Sequence, residues 1–416
     1  MMRVLLLTPL FQPEPNHLKG LAFARELVRR GHDVEVLTGF PHYPAGKVYP
    51  GYRIRPWMRE ILDGVPVTRV MMYPSHDRSA VRRTAGYLSL AGTAALLGPP
   101  LVARPDVVHV YQGPATLAWP AMVFRMMFGT PYVLDVQDMW PESVTVTGML
   151  SLPGVSAVLG AWSKATYRLA RKIIVLSNGY KKCLEARGVP EKKIEVVYNW
   201  CDERSLPGET DGEGSDPFGL AGRFNVVYSG NFGALQALGG VLDAAFLIEE
   251  KRPDIRFVFV GDGVEESALK KKAAGRGQKN VLFIPRQAPE SLGRITARAD
   301  VLLVHLKDDP LARMGIPQKT QASLAAGKPV LLAIRGSAAE LAARAGGAWT
   351  CRPEDPAALA EAVLGLASLS WNEREMMGRK NAEFYRKELA FSIGVGRMTA
   401  VFEEAAVRPR RKEGGR

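Results

Sequence analysis

Lys319 stands in the first turn of a short helix whose two ends are both marked in the sequence. Met314–Val330 reads M-G-I-P-Q-K-T-Q-A-S-L-A-A-G-K-P-V. Pro317 suits the first helical position, where its missing N–H is not needed. Gly327 suits the left-handed residue that follows the last turn, and Pro329 stops continuation. A strand, Val330–Ile334, follows. A cation in the first turn opposes the helix dipole by roughly 0.3–1 kcal/mol. The arrangement makes sense where an anion sits at the helix N-terminus, held by backbone N–H groups and the ammonium. A surface lysine with its charge in water is the alternative.

A second group lies early in the chain. The apolar run ending at Val136 delivers Gln137-Asp138-Met139-Trp140-Pro141-Glu142, two carboxylates and an amide at a strand's carboxyl end. Asp138 is suited to accept a proton or bind a sugar hydroxyl, or else to cap the next turn. The loop after the first strand carries Glu14, Asn16, His17 and Lys19, and the loop after the second reads G-F-P-H-Y-P-A-G-K-V-Y-P. Strand carboxyl ends are where open α/β sheets bind ligands. His17 as a plain loop residue is the bland reading.

The elements that would position these groups alternate strand and helix. Arg3–Thr8, a helix over Gly20–Arg30 and Asp33–Thr38 form a βαβ unit that opens a doubly wound sheet. Strands at Val65–Tyr73, Asp106–Val110, Pro131–Val136, Lys172–Leu176 and Ile194–Val197 complete the first half. The first loop lacks G-x-G-x-x-G, which argues against an ordinary dinucleotide site. The acidic, glycine-rich stretch Pro207–Gly222 has little to bury and reads as an exposed boundary loop. The pattern then restarts with strands Phe224–Ser229, Arg256–Val260, Asn280–Ile284 and Asp300–Leu306. Gly230-Asn231-Phe232-Gly233, Gly261-Asp262-Gly263 and Pro285-Arg286-Gln287 follow the first three, and the helix of Lys319 follows the fourth. Four such loops can converge on one crevice, and glycines let backbone N–H groups approach a phosphate closely.

These readings divide the chain into residues 1–206, a boundary loop 207–222, a second domain 223–388, a helical segment 389–406 and a basic tail 407–416 expected to be disordered. The 416 residues are too many for one ordinary core. The net charge of +13 points to an acidic partner: nucleic acid, anionic lipid or a phosphorylated small molecule. No RNA- or DNA-binding signature is present, so no nucleic-acid partner is expected. Cys183, Cys201 and Cys351, odd in number and far apart, fit a reducing cytoplasm better than a disulfide framework or zinc site. No signal peptide is expected, because the apolar start Val4–Leu7 is short. The longest uncharged run, Thr84–Ala103, is broken by glycines and Pro99-Pro100, and reads as a buried or interfacial helix ending at Gly98 rather than a membrane span. Arg53, Arg55, Arg59, Arg78, Arg82 and Arg83 precede it, as on a peripheral membrane surface or a solvated basic face.

Taken together, L-T-G-F-P-H-Y-P-A-G-K at Leu37–Lys47, D-V-Q-D-M-W-P-E at Asp135–Glu142, Y-S-G-N-F-G at Tyr228–Gly233, F-V-G-D-G at Phe259–Gly263 and the run Ile316–Pro329 resemble glycosyltransferase family 4. They resemble in particular its O-antigen and capsule branch, which includes N-acetylfucosamine transferases. The resemblance covers nearly the whole chain. It implies an α/β fold of GT-B architecture: two Rossmann-like domains facing each other across a cleft, with C-terminal helices crossing back to the first.

It further implies a retaining transferase with a nucleotide-sugar donor, UDP-linked, and a polyprenyl-diphosphate-linked acceptor. No cofactor and no metal are expected, and the enzyme would be cytoplasmic and peripheral on the inner membrane face. The second domain would bind the donor: Gly230, Asn231, Gly233, Gln318 and Lys319 near the pyrophosphate, and Gly261, Asp262, Gly263 and Arg286 around base and ribose. The first would take the acceptor through His17, His42, Tyr43, Asp138 and Glu142, with Asp138, Lys319 and His17 as the catalytic candidates. Where the family has a ribose-binding Glu, this chain has Ala322, and Gln318 or Gln321 is the available substitute. A nucleotide-sugar epimerase and a non-catalytic binding subunit are the alternative readings.

Overall fold

The computed structural model describes the chain except for residues 17, 77–78, 141, 143–153, 209–215 and 407–416. It divides into two compact units, Met1–Tyr198 with the chain from Val395, and Asn199–Gly394.

The first unit is built on an eight-stranded sheet in the order β3-β4-β2-β1-β5-β6-β7-β8. Its strands are β1 (Arg3–Leu7), β2 (Asp33–Gly39), β3 (Trp57–Leu62), β4 (Val65–Val70), β5 (Val107–Gln112), β6 (Tyr132–Val136), β7 (Lys172–Val175) and β8 (Ile194–Val196). All neighbours are parallel except β3, which pairs antiparallel to β4. β1, β5 and β6 are almost wholly buried, β1 as the run V-L-L-L, as strands covered on both faces are. β3 alternates exposed and half-buried residues, so its pattern is that of a sheet edge. The strand order reverses between β1 and β5, which opens a crevice at their carboxyl ends.

The second unit has a six-stranded parallel sheet in the order β11-β10-β9-β12-β13-β14. Its strands are β9 (Phe224–Ser229), β10 (Ile255–Val260), β11 (Val281–Ile284), β12 (Val301–His305), β13 (Val330–Ala333) and β14 (Ala348–Thr350). Here the order reverses between β9 and β12. Phe232, Phe259 and Phe283 pack in one aromatic cluster beneath the β9 and β10 loops, the last two stacked with centroids 5.2 Å apart.

The second unit begins at Asn199, and residues 209–215 of the expected boundary loop Pro207–Gly222 lie outside the described residues. Trp200 is buried edge-on against Phe391, centroids 5.3 Å apart, and Glu203 accepts from the Tyr385 hydroxyl at 2.9 Å and from Phe391 N at 3.0 Å. The last helix, Phe391–Ala406, begins in the second unit, and from Val395 it belongs to the first. There Phe402 packs against Phe23 and His109.

The apolar helix is longer than its sequence suggests. It runs from Ala80 to Leu101 through Pro99 and Pro100, with Ser79 capping Arg82 N and the last turn closed by Val102 N on Gly98 O at 3.0 Å. Among the described residues no helix is long and apolar enough to cross a membrane.

Candidate functional site

Within the second unit, two glycine-bearing loops meet at the carboxyl ends of β9 and β10. Gly230 has φ 140° and Gly261 φ 148°, conformations in which a side chain is strained. Space forbids one as well: a Cβ on Gly261 would stand 1.9 Å from Gly230 O. Gly263 is pressed in the same way against the Phe232 carbonyl. A Cβ on Gly230 would stand 3.1 Å from Lys319 Nζ, so the ammonium lies directly over the bare backbone of the β9 loop.

Lys319 extends from the helix Gln318–Ala325 to the ring of Tyr228, its Nζ 4.0 Å from the centroid and hydrogen-bonded to the phenol oxygen. That hydroxyl in turn donates to Asn231 O at 2.8 Å. Among the described residues no carboxylate pairs with Lys319, and burial lowers its pKa to about 7. The loop is held open by Gln236, whose Oε1 accepts from Gly233 N at 3.1 Å and Asn231 Nδ2 at 3.3 Å. The Gln236 carbonyl meets His305 Nδ1 at 2.8 Å. Arg286 and Asp262 form a two-pronged ion pair, both bonds 2.9 Å, exposed at the end of β10.

Two expectations for this helix change. Pro317 is the residue before the first turn rather than its first member, while Gly327 is left-handed with φ 69° as expected. Gln321 is fully buried. With its amide oriented to donate, Nε2 reaches Pro317 O at 2.7 Å and Gln318 O at 3.2 Å, so the amide is bonded to its own helix. Helical spacing places 321 on the inward face that Leu324 shares. Gln318 is exposed at the helix start.

The first unit holds a cavity of about 380 Å³ at the carboxyl ends of β1, β2, β4, β5 and β6. His42, Tyr43, Tyr111 and Asp138 line it, together with Arg83 and Tyr87 from the helix Ala80–Leu101. Asp138 is an exposed residue that opens onto the cavity with no hydrogen-bond partner among the described residues, and desolvation pushes its carboxyl up to about 6. Arg83 Nε is buried in the cavity wall with no hydrogen-bond partner among the described residues. The Tyr43 and His76 rings meet edge-on, centroids 4.6 Å apart.

Glu14 fixes this cavity's rim. Almost fully buried, its Oε1 accepts from His42 N and Tyr43 N, each at 2.8 Å, and its Oε2 from Phe11 N at 3.2 Å. One carboxylate thus ties the β1 loop to the β2 loop. Arg69, fully buried on β4, donates to Gly39 O at 3.0 Å, to Gln12 O and to Glu60 Oε1, joining the same two loops from beneath. Deeper in, Asp135 accepts from Gln137 Nε2 at 2.6 Å and meets His109 Nε2 at 3.2 Å. Burial lowers the Lys19 pKa to about 8, countered by the charge of Asp135.

The structure separates Glu142 from this group. It pairs with Arg187 and lines a different cavity of about 550 Å³ with Ser163, Tyr167 and Lys193. Asp138 and Glu142 are therefore not a carboxylate pair in one site. The guanidinium that follows the helix Asn178–Ala186 takes Glu142 elsewhere. His17 lies outside the described residues. Sequence reasoning assigns no role to Arg83, Tyr87, Tyr111 or Tyr228: Arg83 appears only in a basic run and Tyr228 only as the first residue of the Tyr228–Gly233 motif, while Tyr87 and Tyr111 carry no local signal. Among the described residues no group of three or more His, Cys, Asp or Glu is placed to hold a metal ion.

Two family models match the chain: a glycosyl transferase 4-like domain over residues 21–200 and glycosyl transferases group 1 over residues 223–368. A protein of Pseudomonas aeruginosa named a probable glycosyltransferase, WbjE, is 26% identical over 299 residues, covering 68% of this chain and 73% of its own. WcaI of Escherichia coli, whose name assigns it to colanic acid biosynthesis, is 25% identical and covers 67% and 70%. Among solved structures, Anabaena HepE in complex with UDP matches with a TM-score of 0.70 at 14% identity, over 97% of this chain and 100% of that one. A UDP-forming trehalose-phosphate synthase of Burkholderia vietnamiensis matches all of both chains with a TM-score of 0.73 at 16% identity.

Proposed function

This chain belongs to the glycosyltransferases of the GT-B fold, and we propose that it moves a sugar from a UDP-linked donor to a hydroxyl on a lipid-diphosphate-linked acceptor. The transferred sugar is an N-acetylated hexosamine or deoxyhexosamine, it keeps its anomeric configuration, and the product is a repeat of a cell-surface polysaccharide. The name of WcaI supports the setting, that of WbjE supports glycosyl transfer, and UDP bound in HepE supports the donor. The enzyme works at the cytoplasmic face of the membrane, where such an acceptor resides.

One observation carries the reading: Lys319, with no carboxylate partner among the described residues, stands over the bare backbone of Gly230 at a helix N-terminus. In the reaction the bond from the anomeric carbon to the donor phosphate breaks. A bond from that carbon to the acceptor oxygen forms, and the hydroxyl proton passes to the departing diphosphate. The protein's task is to stabilise charge on that diphosphate. Lys319, held by Tyr228, and the backbone of Gly230 and Asn231 do so without a metal. Asp262 and Arg286 border the nucleoside. In the first unit His42, Tyr43 and Asp138 hold the acceptor sugar, and Arg83 takes its diphosphate.

The test is transfer by the full chain from a panel of UDP-sugars to a farnesyl-diphosphate-linked sugar, in excess EDTA. The expected product carries a new linkage of the donor's anomeric configuration, read by NMR. Donor turnover with no acceptor present would favour an epimerase, and restoration by Mg²⁺ would overturn the metal-free reading.

A further inference from the structure

The cavity that holds Glu142, about 550 Å³, is walled by the helix Val155–Leu169 and by residues 187–193, which follow the helix Asn178–Ala186. Its volume is that of a small-molecule site. Three polar atoms of its lining residues are buried with no hydrogen-bond partner among the described residues: Glu142 Oε2, Ser163 Oγ and the Tyr167 hydroxyl oxygen. Ser163 and Tyr167 are each 2% exposed and stand four residues apart, so both hydroxyls come from one face of one helix. Burial pushes the Tyr167 phenol up to about 12, which keeps it a neutral hydroxyl. Buried polar atoms are seldom left unanswered in a fold, and three around one cavity call for a ligand that bonds them.

Charge narrows the ligand. Among the described residues four cations line the cavity against one carboxylate. Two of the cations are engaged. Arg187 donates to Trp140 O at 2.8 Å and to Glu142 Oε1, and Lys193 Nζ donates to Arg168 O at 2.7 Å and Ala170 O at 3.0 Å. Lys164 and the Arg168 guanidinium are exposed and pair with no carboxylate among the described residues. Glu142 Oε2 can only accept, so it requires an O–H or N–H from the ligand, while the two hydroxyls can donate or accept. Val189 and Pro190 add an apolar wall for the C–H face of a ring. We propose that this cavity binds a sugar bearing one anionic group, a phosphate or a carboxylate, with ring hydroxyls on Glu142, Ser163 and Tyr167 and the anion on Lys164 and Arg168. Inorganic phosphate alone would set negative charge against Glu142, and a neutral sugar would leave both cations without a counter-charge. The site is distinct from the cavity of Asp138, although Trp140 belongs to both. That residue lines the Asp138 cavity, and its carbonyl holds Arg187 beside Glu142. Binding here needs none of the transfer chemistry proposed above.

The full chain, with excess UDP present to fill the second unit, is titrated in a calorimeter with glucose 6-phosphate, glucuronate, glucose and inorganic phosphate. The wild type binds at least one of the two anionic sugars about tenfold more tightly than glucose or phosphate. Which of the two it prefers tells a phosphate from a carboxylate, and either preference supports the site. The double variant Ser163→Ala/Tyr167→Phe removes only hydroxyls that lack a protein partner, so it keeps the fold, and it weakens that binding by about tenfold. Lys164→Gln/Arg168→Gln lowers the affinity for the anionic sugar to that for glucose. In a separate measurement, a thermal shift with UDP equal to that of wild type confirms that each variant is folded. Phosphate bound as tightly as glucose 6-phosphate overturns the sugar. Equal binding by wild type and Ser163→Ala/Tyr167→Phe overturns the site, as does the absence of saturable binding by either anionic sugar.

Discussion

Tyr228 and Lys319, 91 residues apart, form one unit in which the ammonium lies over the phenol ring, bonds its oxygen and has no carboxylate partner among the described residues. Burial keeps the Tyr228 phenol neutral and at the same time lowers the lysine's pKa to about 7. The cation is thus held in place by a group that does not neutralise it, which suits a site awaiting an anion.

Lys319→Met therefore lowers kcat by about 10²- to 10³-fold, the usual loss for one preorganised group facing developing negative charge. The melting temperature without ligand does not fall, because the variant removes an ammonium that the fold desolvates. Steady-state rates and calorimetry on the same preparation check both halves. Turnover equal to wild type would remove Lys319 from the diphosphate site.

The same lysine sets a pH dependence whose sign is fixed. Its folded pKa is below its unfolded one, so between pH 7 and the ordinary lysine range the unfolded chain binds more protons than the folded chain. Stability of the free protein then rises with pH across that window. A bound diphosphate favours the charged form. Affinity for UDP-glucose is accordingly level below pH 7 and falls above it by up to about tenfold per unit. Titration calorimetry from pH 6.5 to 9 in two buffers should show proton uptake on binding that Lys319→Met abolishes. Uptake that persists in the variant would place the titrating group elsewhere.

The parts legible from sequence were those written locally. Strand cores, the glycines after β9 and β10 and the Gly327–Pro329 stop all follow from periodicity or from a backbone that only glycine fits. β3 escaped because its alternating, arginine-bearing pattern is that of an exposed edge and resembles a loop. β14 is three residues, too short for periodicity. Relationships across the fold were not legible: Tyr228 with Lys319, Glu14 with the His42 loop, and Glu142 with Arg187. Gln321 shows the limit within one helix. Its spacing from Lys319 was readable, yet only packing reveals that its amide is spent on Pro317 and Gln318.

Asp138 carries the acceptor side. Its pKa of about 6 comes from desolvation, so an ionised Asp138 is required on an acid limb. The rate at saturating donor should fall below pH 6, and Asp138→Asn should remove that limb and lower kcat/KM for the acceptor by about 10²-fold. Because the folded carboxyl binds its proton more tightly than the unfolded one, stability falls as pH rises from the ordinary Asp range through 6. The Asn variant should therefore melt higher than wild type at pH 7.5. A limb that survives in the variant would assign the ionisation to another group.

Glu14 separates positioning from contact. Its carboxylate collects three backbone N–H groups from two loops, a charge-assisted set that a neutral amide cannot reproduce. Glu14→Gln turns one acceptor into a donor facing an N–H, which costs about 2–4 kcal/mol of stability. What distinguishes it from a plain core defect is selectivity. With the variant still folded at 20 °C, the acceptor KM rises severalfold as His42 and Tyr43 loosen, while the UDP-induced thermal shift, read from the other unit, stays at its wild-type size. Equal loss of acceptor and nucleotide binding would mean that Glu14 supports the fold alone. An unchanged acceptor KM would mean that the His42–Tyr43 rim does not hold the sugar.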